Sequence, residues 1–245
     1  MTTIGLVDLF RAARQSADLA TLEGFHAVKH AVRFGAHLEA LVVVGDIGRL
    51  CRRLAPDLEA QLELEATEVP ESTFRDLVPA GHPTRVAAVA RRPAAPWHAI
   101  DANRKSPAVL LEDPRHPGNV GAVIRIAAAA GASGVATTGS LDPWTPTAIR
   151  GSAGLHFALP VVGLKTPPPT DRPVWVFDPG GEALARPIPS DAVLVFGSER
   201  DGVSDDIRSR ADRLVSLPME SGVSSINLAA SVAVGLYAWR LGMAG

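Results

Sequence analysis

The chain has 245 residues, 47% of them hydrophobic, and a formal net charge of −2. That length and composition support one or two domains with real cores, and the near-neutral balance excludes a globally basic polyanion binder, so any nucleic acid has to be met by a local patch. The lone Cys51 excludes an internal disulfide framework and a cysteine-rich zinc site, which fits a reducing cytoplasm.

Met1 to Ala20 lacks the basic start and apolar centre of a signal peptide. Leu22 to Phe34 has helical periodicity, with Gly35 as its stop. His26 and His30 stand four apart in it, the spacing of a metal pair, but no Glu or Cys lies nearby to complete a site, and no metal is expected. Glu39 to Val44 reads as a strand, after which Asp46 caps a helix carrying Arg49, Arg52 and Arg53. Leu62 to Val69 reads as a second strand, Glu71 to Arg75 as a short helix and Arg85 to Ala90 as a third strand. Helices alternating with strands imply a small α/β layer structure. Lys29, His30 and Arg33 cluster on one helix and Arg49, Arg52 and Arg53 on another. Such clusters are either solvated helix faces or a phosphate-binding surface. Pro93 to Trp97 and the polar run to Ser106 look like a linker, which divides the chain into 1–100 and 101–245.

Beyond it, Ala108 to Asp113 is a buried strand broken by Pro114-Arg115-His116-Pro117-Gly118, and Asn119 can cap a helix running to Gly131. Arg125 is the only charge on that helix of Val, Ile, Ala and Gly, so it must be paired or face a functional cleft; Glu112, Asp113 and Glu199 are the carboxylates that could pair with it. Gly134 to Thr138 is the next strand, and Arg150-Gly151-Ser152-Ala153-Gly154 is a small-residue segment with one basic side chain near a helix end. Val174 to Asp178 and Ala192 to Phe196 are further strands. The latter is continuously apolar, as a central parallel strand is, and runs into Gly197-Ser198-Glu199-Arg200-Asp201-Gly202-Val203-Ser204. A Gly-rich loop at the carboxyl end of a parallel strand is where α/β sheets bind ligands. Neither a Walker A sequence nor GxGxxG occurs, which argues against a nucleoside-triphosphate or ordinary dinucleotide site. Arg213 to Leu217 reads as a buried strand ended by Pro218. A loop with Gly222 and three serines follows, and Ser224 or Ser225 is a suitable cap for a helix from Ile226 to Leu241. That helix is apolar nearly all round, as a helix buried on every side is, and its alanines and Trp239-Arg240 end read as core rather than membrane span.

Three loops thus follow three strands, and their residues resemble the SpoU/TrmH family of RNA ribose methyltransferases, in the SPOUT superfamily. The resemblance rests on His116-Pro117-Gly118-Asn119-Val120-Gly121-Ala122-Val123-Ile124-Arg125, on Phe196-Gly197-Ser198-Glu199-Arg200-Asp201-Gly202, and on Leu217-Pro218-Met219 with Ser224-Ser225-Ile226-Asn227-Leu228. It extends from Ala108 to Trp239, in order, with Ile226 where Leu is usual. It implies an α/β fold whose C-terminal parallel-sheet domain holds a deep trefoil knot, preceded by a ribosomal-protein-like RNA-binding domain. The Glu23-Gly24-Phe25-His26-Ala27-Val28 opening loosely matches that second expectation.

By the same resemblance S-adenosylmethionine is expected at Gly197, Leu217 and Ile226, with Met219 and Ser225 close by. Arg125 matches the catalytic arginine, and Asn119, Glu199, Ser225 and Asn227 match the other polar motif positions. Lys29, Arg33, Arg52, Arg53 and Arg150 are the candidates for RNA contact. The implied activity is methylation of a ribose 2′-hydroxyl in structured RNA, ribosomal RNA first, by a homodimer joined through its last helix. Transfer RNA as substrate, or a non-catalytic RNA-binding relative, are the alternatives. A sulfonium methyl is already electrophilic, so the reaction needs alignment and assistance to proton loss rather than a metal. A guanidinium is a poor literal base, which favours Arg125 as a donor that orients and stabilises charge on the hydroxyl and an adjacent phosphate.

Overall fold

The computed structural model describes residues 2–185 and 187–243. In chain order it forms α1 (Thr3–Ala13), β1 (Leu19–Glu23), α2 (Phe25–Arg33), β2 (Leu38–Val43), α3 (Ile47–Leu54), α4 (Glu59–Glu65), β3 (Ala66–Glu68), α5 (Glu71–Leu77) and β4 (Val86–Arg91). Then come α6 (Trp97–Ala102), β5 (Ala108–Leu111), α7 (Pro117–Ala130), β6 (Gly134–Thr137), α8 (Pro146–Gly151), β7 (Val161–Gly163), β8 (Val174–Ala183), β9 (Val193–Phe196), α9 (Asp205–Ser209), β10 (Arg213–Ser216) and α10 (Leu228–Gly242). Two compact units divide the chain: Met1–Ala94 with Trp144–Ala158, and Ala95–Pro143 with Leu159–Gly245. Among the described residues no helix is long and apolar enough to cross a membrane.

The first unit is built on a four-stranded sheet ordered β1-β4-β2-β3, antiparallel except where β2 meets β3. Leu6, Phe10, Phe74, Leu77, Val42 and Val89 form its core. The sequence expectation of one helix from Leu22 gives way to a strand, a corner and a helix. Gly24 turns the chain at φ 94°, a conformation open to glycine, and leaves Leu22 in β1. The Leu62–Val69 strand is also corrected. Its Leu-Glu alternation mimics period 2, but the run of helix-favouring Glu, Gln and Leu forms α4, with Leu62 inward, and only Ala66–Glu68 is strand. The segment Trp144–Ala158, which follows the family motif nearest α7, belongs to this unit, where α8 packs on β1. Gly154, at φ 81°, lies so close to α2 that a Cβ would overlap the Ala27 backbone.

The second unit is a six-stranded, wholly parallel sheet ordered β10-β8-β9-β5-β6-β7. The continuously apolar β5 and β9 are its centre, fully buried and paired Leu111 to Phe196, which sets the loops after both strands side by side. β10, expected to be buried, is an edge strand with only Val215 buried. The supposed linker contains α6, whose Ile100 enters the core beside Leu110, Val193 and Val195. α7 and α10 pack together, and Gly235 lets α10 approach the stacked Phe177 and Phe196 rings, with a Cβ only 2.9 Å from Phe177.

One buried cation escaped the sequence reading. Arg172 is 2% exposed, and its guanidinium bonds carbonyls instead of a carboxylate: Asp191 (2.7 Å), Ser106 (2.8 Å), Ile100 (3.0 Å) and Ala192 (3.1 Å). Burial lowers its pKa. It satisfies loop carbonyls beside α6, β5 and β9 that would otherwise be buried without donors.

Candidate functional site

The three motif loops meet at the carboxyl edge of the parallel sheet. α7 begins at Pro117, a residue suited to the first helical position, with His116 preceding it, so Asn119 is not the cap but a first-turn residue. Its side chain is therefore free to bridge. Asn119 Nδ2 donates to Glu199 Oε1 (2.8 Å), and Asn227 Nδ2 donates to Asn119 Oδ1 (3.1 Å). Asn227 Oδ1 in turn accepts from the amides of Ala229 (2.9 Å) and Ala230 (3.4 Å), which makes Asn227, not Ser224 or Ser225, the cap of α10. One polar chain thus joins the first, second and third motifs.

Glu199 also accepts from the Arg115 amide (3.0 Å). Burial pushes its carboxyl upward, but the Arg115 and Asn119 donors outweigh that and hold it below the usual glutamate range. The loop it sits on is closed by paired backbone bonds between Ser198 and Gly202 (3.0 and 3.1 Å), and Ser198 Oγ accepts from the Asp201 amide (3.0 Å). A Cβ at Gly197 would overlap the Gly202 carbonyl carbon, so glycine is required by the loop's own closure. Glu112 binds Ser204 through its hydroxyl (2.6 Å) and amide (2.8 Å), fixing the same loop to the end of β5.

Beside this network lies a cavity of about 790 Å³. Gly197, Leu217, Met219, Ser225 and Ile226, the five residues expected to hold a cofactor, all line it, together with Glu199 and Asn227. Asn119 and Arg125 do not. Phe177, Asp178 and Pro179 line it as well and were missed, although they lie within β8 where its pairing with β9 ends at Phe177, beside the Gly197 loop. Asp178 is held by Arg208 (2.8 Å) and accepts from the Gly180 amide (2.8 Å).

Arg125 is exposed on α7 and makes no hydrogen bond or ion pair with the described residues. The ion-pair alternative fails because its three candidate partners are engaged elsewhere: Glu112 on Ser204, Asp113 on Arg115 (2.8 Å), and Glu199 on Asn119.

In the first unit the expected RNA-contacting cations differ in how free they are. Arg33 is bidentate to Asp57 (2.7 and 2.8 Å), and Arg52 lies between Glu59 (2.8 Å) and Asp46 (3.4 Å). Lys29 reaches the Leu54 carbonyl (3.4 Å), and Arg150 stands 3.6 Å from Glu23. Arg53 is exposed and has no partner among the described residues.

The family model described as "SpoU rRNA Methylase family" matches residues 106–237, more than half of the chain. The chain belongs to this family. Among its relatives is the 23S rRNA (uridine(2479)-2′-O)-methyltransferase of Streptomyces viridochromogenes, 32% identical over 174 residues, which cover 63% of this chain and 59% of that enzyme. The chain therefore spans less than two thirds of that relative. The 23S rRNA (guanosine(2553)-2′-O)-methyltransferase RlmP of Bacillus subtilis is 26% identical over 93% of this chain and 90% of its own length. Among solved structures, the SpoU methyltransferase AviRb of Streptomyces viridochromogenes in complex with AdoMet superposes with a TM-score of 0.82, covering 98% of both chains at 24% identity, a likeness of fold. An RNA 2′-O ribose methyltransferase gives 0.75 at 26% identity, over 98% of this chain and 96% of that one.

Proposed function

We propose that this SpoU-family protein transfers a methyl group from S-adenosylmethionine to a ribose 2′-hydroxyl of RNA, ribosomal RNA first. The observation that carries this is the junction of the three motif loops through Glu199, Asn119 and Asn227 beside the 790 Å³ cavity. The cavity suits the cofactor. Its volume is that of a small-molecule site. Phe196, Leu217, Met219, Ile226 and Leu228 offer apolar surface for a purine, while the Gly197–Gly202 turn and Ser224–Ser225 offer polar groups. When bound, the cofactor supplies an electrophilic methyl on a cationic sulfur.

The residues do the rest. The Glu199–Asn119–Asn227 chain fixes the loops that form the pocket before substrate arrives, which lowers the ordering cost of binding. Arg125, unpaired, presents a planar donor set to the hydroxyl and an adjacent phosphate. The relatives named as acting on 23S rRNA support ribosomal RNA as substrate.

A homodimer through the second unit completes the reading. α10 exposes Ala230, Val234, Tyr237, Ala238 and Leu241 along one stripe, and α7 beside it exposes Gly118, Arg125 and Ala129. A second copy covering this face would bury the stripe and bring Arg125 to the interface. The first unit is the RNA reader in this scheme. A trefoil knot formed by the 197–228 segment is part of this reading, supported by Leu217 to Leu228 lying beside the Gly197 loop in one cavity.

The test is incubation of the full chain with methyl-labelled S-adenosylmethionine and 23S rRNA transcripts, followed by alkaline hydrolysis. Label in alkali-resistant dinucleotides is expected, because a 2′-O-methyl blocks cleavage. Label confined to mononucleotides, or none, overturns the assignment.

A further inference from the structure

In α2 the buried residues are Phe25, Ala27, Val28, Ala31 and Val32, which leaves His26, Lys29, His30 and Arg33 as the outward row. Two further residues, His82 and Arg150, join it. His30 Nδ1 donates to the Ala153 carbonyl (2.8 Å), on the segment that carries Arg150. His82 lies with its ring against Gly24, at the start of α2, where a Cβ would collide with it. Arg150 is exposed at the same corner, 3.6 Å from Glu23. The His26 and His30 rings are 6.5 Å apart. Three histidines with Lys29, Arg33 and Arg150 thus share one face of the first unit, on elements from three distant parts of the sequence.

The charged neighbours of His30 and His82 are mostly cationic. His30 feels Lys29, Arg33 and His26; His82 feels Arg150, Glu23 and His26. The carboxylates are engaged: Glu23 is buried between Arg14 (3.7 Å) and Arg150, and Asp57 is held by Arg33. The surface is therefore a basic patch whose charge varies with proton occupancy. His30 already uses Nδ1 as a donor, so Nε2 is the atom that takes a second proton.

We propose that the face formed by His26, Lys29, His30, His82 and Arg150 grips the RNA sugar-phosphate backbone, and that RNA binding there is coupled to proton uptake by His30 and His82. This rests on the RNA-substrate reading above. Burial first, and the neighbouring cations next, lower the pKa values of His30 and His82 in the free protein, so both are neutral at neutral pH. Phosphates opposite them favour the charged forms. The complex then binds more protons than the free protein, and affinity rises as pH falls. Each linked proton changes Kd by at most about tenfold per pH unit. Arg33 and Arg52, neutralised by Asp57 and by Glu59 and Asp46, contribute less than sequence clustering implies.

The test uses the full chain and a 23S rRNA transcript, with Kd measured from pH 5.5 to 7.5 at constant ionic strength. The variants are His26→Gln, His30→Asn and His82→Asn, singly and combined. Asn keeps an amide where Nδ1 bonds Ala153 or Thr84, so the local structure is preserved. Wild type should tighten about tenfold or more on acidification, and the combined variant should lose most of that change. Arg150→Ala should weaken binding at every pH, and Arg33→Ala should do so much less. S-adenosylmethionine affinity, read by calorimetry, should stay unchanged in all of them. If wild type methylates the transcript yet binds it with no pH dependence, or if the combined variant retains the wild-type dependence, the proton-linked face is overturned and the proposed activity stands. If wild type neither binds nor methylates ribosomal RNA, the substrate reading falls and this proposal falls with it.

Discussion

Arg125 and Glu199 are the two charged groups on which the proposed chemistry turns, and their surroundings are opposite. Arg125 is exposed and unpaired, so Arg125→Ala should leave the melting temperature nearly unchanged, as surface substitutions generally do. Cofactor affinity should persist, while single-turnover methyl transfer falls by orders of magnitude. Arg125→Lys should not restore it, because a point charge lacks the planar fork; near-normal turnover by either variant removes Arg125 from catalysis. Glu199 is the reverse, tied at both oxygens to Arg115 and Asn119 and held below the usual carboxylate range. A carboxyl depressed on folding contributes fully above its unfolded pKa of about 4.3 and loses that contribution as pH falls through the folded value. Calorimetric cofactor affinity should therefore be indifferent to this group from pH 8 to about 5 and fail only in stronger acid. Glu199→Gln, which replaces one accepting carboxylate oxygen with an amide NH2 donor, should cost about tenfold in cofactor affinity, the weight of roughly one charge-assisted hydrogen bond. Gly197→Val should weaken cofactor binding too, by forcing the Gly197–Gly202 turn open from within.

At the scale of elements, the sheet's amino-terminal side depends on Arg172 as much as its carboxyl side depends on the motif loops. Four carbonyls from Ile100, Ser106, Asp191 and Ala192 point at one guanidinium. Arg172→Met would fit the volume but leave those carbonyls without donors. It should destabilise the protein by about 3 kcal/mol or more, or roughly 6–12 °C in Tm. Arg172→Lys should recover little, since an ammonium cannot reach four acceptors arranged around a plane. Thermal denaturation followed by circular dichroism checks both, and an unchanged Tm would show the carbonyls resatisfied by water. α10 poses the opposite problem. Its apolar circumference reads as a fully buried helix, yet Tyr237 is 40% and Leu241 69% exposed. A contiguous apolar stripe of this kind on a folded chain marks an interaction surface.

For the whole molecule, the dimer prediction follows from that stripe. Leu241→Glu with Val234→Glu should convert a dimer into a monomer in sedimentation equilibrium while leaving the fold intact, and methyl transfer should fall because Arg125 loses its interface. A wild type that is monomeric at micromolar concentration would remove the dimer from the scheme. By itself, the sequence determined the family, the parallel α/β character of the second half, the central place of β5 and β9, and the loops that form the cavity. Those features are local: continuous apolar runs, and loop residues placed directly after them. It began the Leu22–Phe34 helix too early and misread the first part of Leu62–Val69 as strand, where two periodicities overlap within a few residues and a single glycine corner or the helix preference of Glu and Gln decides between them. Only the tertiary structure decided which polar residues pair. Asn119 and Asn227 are 108 residues apart, and Arg172 meets carbonyls from three separate segments. Likewise, whether Arg33 and Arg52 are available cations or neutralised ones depends on Asp57 and Glu59, brought opposite them by a chain reversal. Charge clusters are visible in sequence, but the counter-charges that cancel them arrive by folding.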